Sequence, residues 1–318
     1  MATEKGRALT ITSNYCGDHA GQYIGAALQE AKSMEFLTLM ENIKFERSIS
    51  QLAGGYGGSG ETAEGNLVQA RTCDWTSAGL LSLSDKKIKP TPLQINYEIC
   101  KETLIADWQA EQMKAGQWNT AMGADFATFL LSRIAGIIAQ HSENCIWTGA
   151  AAVPGQFEGF TTAATGLFTV DPVNTIAVGG AFTSGNVIAE LSACLTAVPS
   201  AVYSHISEDL YMYINPTTYR LYIAAISAAG YVNAYSMNDT FVPYFEGCKI
   251  AVVPGMPDNQ VVVAQASNLF YGTDLLSDDT EIRVLDMSTI DGSDNIRIVA
   301  KYTGGVQTGW AGDITWAK

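Results

Sequence analysis

The feature of this sequence that most constrains its fold is a stretch of nearly fifty residues, 46–92, with almost no core material. It holds seven glycines between Gly54 and Gly79 and no long apolar run. Compact domains rarely contain structureless segments of that length. Such a segment either stays disordered or becomes ordered against another molecule. We therefore expect a subunit whose stability is completed by its neighbours.

The rest of the chain has the composition of a protein with a large core. Apolar residues make up 47% of the 318 residues and charged residues only 16%. These values exclude a disordered chain, a coiled coil and a collagen-like rod. The formal net charge is −14. Because nucleic-acid binders neutralise phosphates with a basic face, this charge argues against DNA or RNA binding.

Signals for membranes and secretion are missing from the sequence. No run of about 20 mostly apolar residues predicts a spanning helix, and the first residues lack the apolar segment of a secretion signal. Synthesis in the cytoplasm is therefore expected. The cysteines are spread singly, without a CxxC pair, which predicts reduced and buried thiols rather than disulfides. They are Cys16, Cys73, Cys100, Cys145, Cys194 and Cys248.

The three histidines, His19, His141 and His205, do not stand at metal-ligand spacing from one another or from a cysteine. His141 falls at the end of a predicted helix, where a structural imidazole is favoured over a catalytic one. His205 precedes Glu208 and Asp209. The start of a polar strand is favoured there over an acid–base site, because no nucleophile motif accompanies these residues.

Two short motifs imitate ligand-binding loops. Residues 55–60 match GxGxxG, but a nucleotide loop needs a buried strand before it and an apolar helix after it. The flanking residues are polar, so a long mobile loop is favoured. Residues 291–295 resemble the start of a calcium loop, but Ile296 stands where glycine is required and Tyr302 where glutamate is required. A hairpin turn is favoured there. We expect no catalytic residue, no cofactor and no metal.

Three helices are predicted by the spacing of apolar residues. The longest covers about 119–144, with one buried stripe at Met122, Phe126, Phe129, Leu130, Ile134, Ile137 and Ile138. The second covers about 184–198 and is stopped by Pro199. The third begins at an Asn215 cap followed by Pro216 and ends at Gly230.

Strands are predicted by alternation or by short apolar runs. They cover 94–100, 210–214, 249–253 and 260–265, followed by a hairpin of 282–288 with 295–302. The hairpin is expected to end at a return formed by Gly304 and Gly305, before a last strand that carries Trp310, Ile314 and Trp316. The elements do not alternate regularly, so the predicted fold class is α+β.

Four segments, taken in order, resemble the major capsid protein of tailed bacteriophages, the Hong Kong 97 type fold. The first, 81–104, looks like the returning strand of the extended loop, and the second, 125–149, like the long spine helix. The third, 188–199 with 209–219, is similar to the helix, strand and "strand-Asn-Pro-helix" step of the axial domain. The fourth, 245–257 with 268–274, looks like the passage that closes that domain. No single motif is specific; their order and spacing carry the likeness over about 35–318.

The resemblance implies a division of the chain. It comprises an N-terminal arm (1–45), an extended β-hairpin loop (46–90), a peripheral domain with the spine helix 119–144 (91–179 and 280–318), and an axial domain (180–279). Only about 35 residues precede the extended loop, whereas many such proteins begin with a long scaffolding region. A separate scaffolding protein, or none, is therefore implied. No Lys–Asn crosslinking pair can be carried over by matching residues.

The implied function is that of a structural shell protein. Copies of the chain would form pentamers and hexamers of an icosahedral capsid around double-stranded DNA, without sequence-specific binding, and would meet a portal protein and possible decoration proteins. The implied location is the virion, and the host cytoplasm before assembly. An encapsulin-type nanocompartment that encloses cargo enzymes shares the fold and stays open as an alternative. A soluble enzyme with an undetected site and an all-β surface-binding module are less favoured.

A hypothesis on charge accompanies the shell interpretation. The basic patch of Lys86, Lys87 and Lys89 faces an acidic stretch of a neighbouring copy, with candidates Asp274, Asp278, Asp279 and Glu281. Two solvated faces are the favoured alternative, because exposed ion pairs contribute only about 0–1 kcal/mol.

Overall fold

The computed structural model describes residues 31–54, 81–100, 124–206, 208–229, 243–274, 282–287, 292–293 and 295–318, with Arg71, Cys73, Trp75 and Ile290. This part of the chain mixes helices and strands, which confirms the predicted α+β class. None of its helices is long and apolar enough to cross a membrane.

The described helices differ widely in length. They are α1 (Ala124–Thr148), α2 (Leu167–Val170), α3 (Val187–Thr196), α4 (Ser200–Tyr203) and α5 (Pro216–Ala228), and a 3₁₀ turn covers Ser33–Phe36. The strands are mostly short: β1 (Thr38–Met40), β2 (Arg47–Gly54), β3 (Leu81–Ile88), β4 (Thr91–Cys100), β5 (Asn174–Ile176), β6 (Leu210–Ile214), β7 (Tyr244–Phe245), β8 (Cys248–Val252), β9 (Val261–Gln265), β10 (Leu269–Gly272), β11 (Ile282–Asp286), β12 (Asn295–Thr308) and β13 (Thr315–Ala317).

The strands form two sheets and a separate ribbon. The five-stranded sheet has the order β1-β10-β12-β11, with β4 also paired to β12, and the six-stranded sheet has the order β5-β13-β9-β6-β8-β7. β2 and β3 pair only with each other, in antiparallel register. The predicted hairpin of 282–288 with 295–302 is present, because β11 pairs antiparallel with the first half of β12.

Strand pairing crosses the expected limits of the two domains. β5 and β13 were expected outside the 180–279 unit, yet both join the six-stranded sheet, where β13 lies between β5 and β9. β10 was expected inside that unit, but it pairs with β1 and β12 in the five-stranded sheet. The burial of all three residues of β13 explains its placement, because an apolar strand gains most between two partners.

Helix α1 ends four residues later than predicted, at Thr148 rather than 144. The last turn continues because Cys145, Ile146 and Trp147 are buried in the main core. The helix then stops at Gly149, where a side chain would collide with the carbonyl oxygens of Phe157 and Cys145. With 25 described residues, α1 is about 37 Å long; the expected start at 119 lies outside the described residues.

Of the apolar stripe predicted on α1, the structure describes Ile134, Ile137 and Ile138, whereas Met122 and the side chains of Phe126, Phe129 and Leu130 lie outside the described residues. Ile134 is only 6% exposed and packs with Ile99, Ile296 and Ile298 of β4 and β12. Ile137, by contrast, is 44% exposed, so the prediction that it is a core residue is wrong. Ile138 is partly buried against both this cluster and the main core, so the buried side of the helix includes Ile134 and Ile138.

Helix α5 follows its sequence signals closely. Asn215 is the cap, and its side chain accepts a hydrogen bond of 2.9 Å from the amide of Thr218, while Pro216 holds the first helical position. The helix ends at Ala228, and the expected stop at Gly230 lies outside the described residues. Helix α3 is shorter than the predicted 184–198, because the Asn186 side chain accepts from the Thr183 amide and closes a turn before the helix.

The return predicted at Gly304 and Gly305 is absent; β12 runs straight through both glycines to Thr308. The glycines are needed for close packing instead of a turn. A side chain on Gly304 would lie 2.9 Å from the Phe157 ring and from the Tyr271 hydroxyl, and one on Gly305 would lie 3.0 Å from the carbonyl oxygen of Lys89. Distant segments, rather than local conformation, therefore fix these two positions.

The main core lies where α1, the two sheets and the 157–173 segment meet. It contains a chain of aromatic side chains, in which Tyr213 contacts Trp147, Trp147 contacts Phe160, and Phe160 stacks on Phe168. Cys145, Cys194 and Cys248 are buried thiols, and burial raises their pKa values to about 11, 12 and 12. Cys73 is exposed, contrary to the expectation of burial; Cys16 lies outside the described residues.

Candidate functional site

Among the described residues, the histidine nearest to a cysteine is not arranged for nucleophilic chemistry. His141 and Cys145 stand one turn apart on α1, with Nδ1 3.3 Å from Sγ, beside a groove of about 260 Å³. Burial lowers the pKa of His141 and raises the pKa of Cys145 to about 11. An activated thiol requires the opposite shifts, a thiolate stabilised by a cationic imidazole. The pair is a neutral packing contact.

The other chemical candidates are dispersed over the surface or fall outside the described part. His205 is 3.0 Å from Glu208, with both side chains exposed, whereas Asp209 accepts from the Ser267 amide at 3.2 Å. Among the residues that the structure describes, no three metal-ligating side chains come together. The GxGxxG residues 55–60 and His19 lie outside the described residues, and the 291–295 turn is described only in part.

The β2–β3 ribbon, by contrast, exposes an apolar surface. Its register places Leu52 opposite Leu83, Gly54 opposite Leu81 and Ser50 opposite Asp85. Side chains alternate between the two faces of a strand, and opposite residues share a face. Leu52, Leu81 and Leu83 therefore lie together on one face of the ribbon, which we call the outer leucine face.

The opposite face seats the ribbon on its own subunit. Ile88 is fully buried and lies close to Gly272, where an added side chain would come within 2.7 Å of the Ile88 methyl. Lys86 forms an ion pair with Asp171, directly after α2, and donates to the hydroxyl of Thr308 at 3.1 Å. The side chain of Gln51 donates to the carbonyl of Gly309. Apolar and polar contacts thus fix which face points outward.

The outer leucine face is open to solvent. Leu52, Leu81 and Leu83 are 66%, 50% and 75% exposed. A contiguous apolar patch on a monomer commonly marks a surface that another molecule covers. This face was not predicted from the sequence, although the alternation of leucine and serine over 81–84 is a strand signal with period two.

The contacts of the basic patch do not match the hypothesis that its lysines pair with acidic residues of a neighbouring copy. Lys86 is already paired with Asp171, and Lys87 lies 2.8 Å from Glu46 of the same chain. This contact raises the pKa of Lys87 and lowers the pKa of Glu46, chiefly through the hydrogen bond. Two of the three lysines therefore have partners in their own subunit. Asp278, Asp279 and Glu281 lie outside the described residues.

Comparison with solved structures shows similarity to phage capsids over nearly the full length. The capsid of Myoviridae phage XM1 gives a TM-score of 0.60 at 9% identity, covering 98% of both chains. The capsid of a native GTA particle gives 0.57 at 13% identity, covering 97% of this chain and 95% of that one. A structure from Mycobacterium phage Che8 gives 0.55 at 10% identity, covering 100% and 98%.

Sequence comparisons add nothing to this likeness: no protein-family model and no curated protein matches the chain. The structural similarity nevertheless extends through both sheets, because it covers more than nine-tenths of each chain in these pairs. The chain therefore has the fold of tailed-phage capsid proteins, and the fold that the sequence predicted is confirmed.

Proposed function

We propose that this protein is a capsid shell subunit that assembles with copies of itself into the pentamers and hexamers of an icosahedral shell. The observation that carries the proposal is the capsid fold itself, matched over 98% of the chain by a capsid subunit of equal extent. Its structural neighbours are capsid proteins, whose role is structural. The opposed pKa shifts of His141 and Cys145 also disfavour a catalytic role.

The outer leucine face supports this proposal, because a lone subunit leaves it in water. Burial of one leucine side chain stabilises a contact by about 1.5–3 kcal/mol. A neighbour that covered Leu52, Leu81 and Leu83 would therefore gain several kcal/mol before the cost of association. Obligate interfaces commonly bury about 2,000 Å² or more, and closed symmetry lets one such surface serve every copy.

Each part of the chain has a role in the proposed shell. Residues 46–90 reach over a neighbour, with the outer leucine face as contact, and residues 1–45 tie further subunits together. Residues 91–179 and 280–318, with helix α1, form the periphery of the subunit, and residues 180–279 gather around the symmetry axes. The strand exchanges of β5, β10 and β13 would join these two units firmly.

The contents and partners of the shell follow from the same proposal. A double-stranded DNA genome is the proposed content, and the net charge of −14 favours an inner wall that does not bind it tightly. A portal protein, a separate scaffolding protein and decoration proteins are the proposed partners, in the virion and in the host cytoplasm before assembly. A similar structure, from phage G, contains major capsid proteins together with decoration proteins.

Light scattering combined with negative-stain electron microscopy tests the proposal on the purified chain. We expect rings, sheets, tubes or closed shells, whereas a compact monomer of this length would have a radius of gyration of about 20 Å. Double-stranded DNA inside closed shells would support the phage capsid, and a co-purified enzyme would overturn the genome-container role in favour of an encapsulin. A monodisperse monomer at every concentration, salt and pH would contradict a chain that assembles unaided and would leave only a shell that requires a scaffolding protein.

A further inference from the structure

Glu143, on the last turns of α1, is a fully buried carboxylate that neither the sequence analysis nor the proposed function uses. Its oxygens accept three hydrogen bonds from two distant segments. The hydroxyl of Ser33 donates at 2.6 Å and the amide of Ser33 at 3.0 Å. The amide of Gly255, in the loop between β8 and β9, donates at 3.2 Å. One side chain thus joins three parts of the chain.

The packing around Glu143 is close on both sides. Ser33 is also fully buried, and its hydroxyl accepts a hydrogen bond of 2.6 Å from the indole of Trp147, one turn further along α1. On the other side, a side chain on Gly255 would lie 2.3 Å from the carbonyl oxygen of Glu143. The backbones therefore meet directly, and the carboxylate fills the remaining polar space between them.

An apolar residue at this position would leave the hydroxyl and the amide of Ser33 and the amide of Gly255 without an acceptor. Burial of a carboxylate is costly unless its hydrogen bonds are satisfied, and a buried charge is weak support for stability. The contacts that reach Glu143 within the described residues come from uncharged groups, Ser33 and Gly255. The carboxylate fixes the orientation of Ser33, because its two oxygens accept hydrogen bonds from the hydroxyl and the amide of Ser33 at the same time.

The residues after Ser33 are held by different contacts. The hydroxyl of Tyr213 donates to the carbonyl of Phe36 at 2.7 Å, and β1 pairs in parallel with β10. The hydrogen bonds of Ser33 connect this segment to Glu143 and Trp147 of α1. The attachment of the segment is therefore divided between Glu143 at its beginning and Tyr213 and β10 further along.

We propose that Glu143 is a positioning residue that anchors the chain at Ser33 to α1 and to the Gly255 loop. It thereby fixes the point at which residues 1–30 join the subunit. The anchor itself does not depend on assembly. Its consequence for a shell rests on the proposed function: if residues 1–45 tie further subunits together, Glu143 sets where each tie begins.

Hydrogen exchange on the soluble full-length subunit tests the anchor independently of shell formation. Glu143→Gln and Ser33→Ala each remove part of the contact, and Ser33→Ala leaves the carboxylate with the backbone amides of residue 33 and Gly255. We expect amide exchange over residues 33–35 to rise by about tenfold in both variants, as for the loss of one buried hydrogen bond. Exchange over β1, residues 38–40, should stay as in the wild type.

Two controls make the result specific. Glu208→Gln changes an exposed acid far from the anchor and should leave residues 33–35 unchanged. Tyr213→Phe removes the next contact along the segment and should raise exchange near Phe36 rather than at Ser33. Unchanged exchange at 33–35 in both anchor variants would overturn the proposal. So would an equal rise across both sheets, because that pattern indicates general destabilisation.

Discussion

Leu52 and Leu83 lie directly opposite each other on β2 and β3, and both side chains point away from the body of the subunit. Opposite positions in an antiparallel pair bring side chains within contact distance, so the two leucines form one apolar unit. Their position is fixed by the contacts that the other face of the β2–β3 ribbon makes with the body of the subunit, where Ile88 is buried and Lys86 is paired with Asp171. The fold of the subunit therefore keeps Leu52 and Leu83 exposed.

Replacement of both leucines by serine is expected to impair assembly without unfolding the subunit. Exposed positions contribute little to stability, so the free energy of unfolding should change by less than about 0.5 kcal/mol. The loss of two buried leucines at a contact should raise the concentration required for assembly by more than about tenfold. Light scattering and chemical denaturation measure the two effects.

The matched control is Leu52→Met with Leu83→Met, which keeps the apolar surface and should assemble normally. Assembly of the serine variant equal to that of the wild type would contradict the role of this face.

The Lys86–Asp171 ion pair is expected to stabilise the attachment of the β2–β3 ribbon to the body of the subunit. Its side chains are 19% and 39% exposed, so solvent screens the pair only in part. A double-mutant cycle with Lys86→Met and Asp171→Asn should give a coupling of about 0.5–1 kcal/mol that shrinks as salt is added. The more exposed pair of Lys87 and Glu46 is the matched control and should show a smaller coupling. The absence of coupling between Lys86 and Asp171 would mean that the attachment of the ribbon does not depend on this ion pair.

Ile134 and Ile137 of α1 should respond very differently to truncation. Ile134→Ala opens a cavity among Ile99, Ile296 and Ile298 and should cost about 2–5 kcal/mol of unfolding free energy. Ile137→Ala, at a half-exposed position, should cost less than about 1 kcal/mol. Aspartate at 134 should prevent folding, because it buries an unpaired charge, whereas aspartate at 137 should be tolerated. Urea denaturation measures the difference, and similar costs at both sites would contradict the orientation of α1.

Gly304→Ala should destabilise the subunit because it forces a methyl group against Phe157 and Tyr271. Both contacts would be 2.9 Å long, and overpacking of this kind costs about 1–3 kcal/mol. Gly185→Ala is the control, because the nearest atom to its added side chain, the hydroxyl of Thr183, is 3.8 Å away. Thermal unfolding of the two variants gives the comparison. A neutral Gly304→Ala would mean that the strand passes less closely over the ring.

The features that the sequence predicted correctly depend mainly on neighbouring residues. Asn215 and Pro216 specify the start of α5 within one turn, and the alternation of β4 places Ile95, Tyr97 and Ile99 on one side of a single strand. The capsid fold was predicted from the order of several such local signals. Their joint order is informative even at 9–13% identity to solved capsids.

The features that were missed depend on residues far apart in the chain. Gly304 and Gly305 look like a turn locally, but their neighbours are Phe157, Tyr271 and Lys89. Glu143 could not be identified as buried, because its donors Ser33 and Gly255 are 110 and 112 residues away. Prediction of the outer leucine face would have required both the register of β2 with β3 and the knowledge of which face of the ribbon packs against the subunit.

The pH dependence of stability should report on Glu143 directly. Burial raises the pKa of its carboxyl group above the usual value of 4.5, and the hydrogen bonds from Ser33 and Gly255 offset this only in part. The folded chain therefore holds this proton more tightly than the unfolded chain. Linkage then requires that stability fall as the pH rises from about 4.5 through the raised pKa, because folding takes up a proton in that window.

A comparison with Glu143→Gln isolates this contribution from other titrating groups. The glutamine variant cannot ionise, so the difference in unfolding free energy, variant minus wild type, should increase as the pH rises through the window. It should be level below the unfolded pKa of about 4.5, where the wild-type carboxyl is protonated in both states. Urea denaturation at a series of pH values measures the difference, with Glu208→Gln as the exposed control. A difference that decreases with rising pH would show that the hydrogen bonds outweigh burial and that Glu143 is held as a carboxylate at no cost.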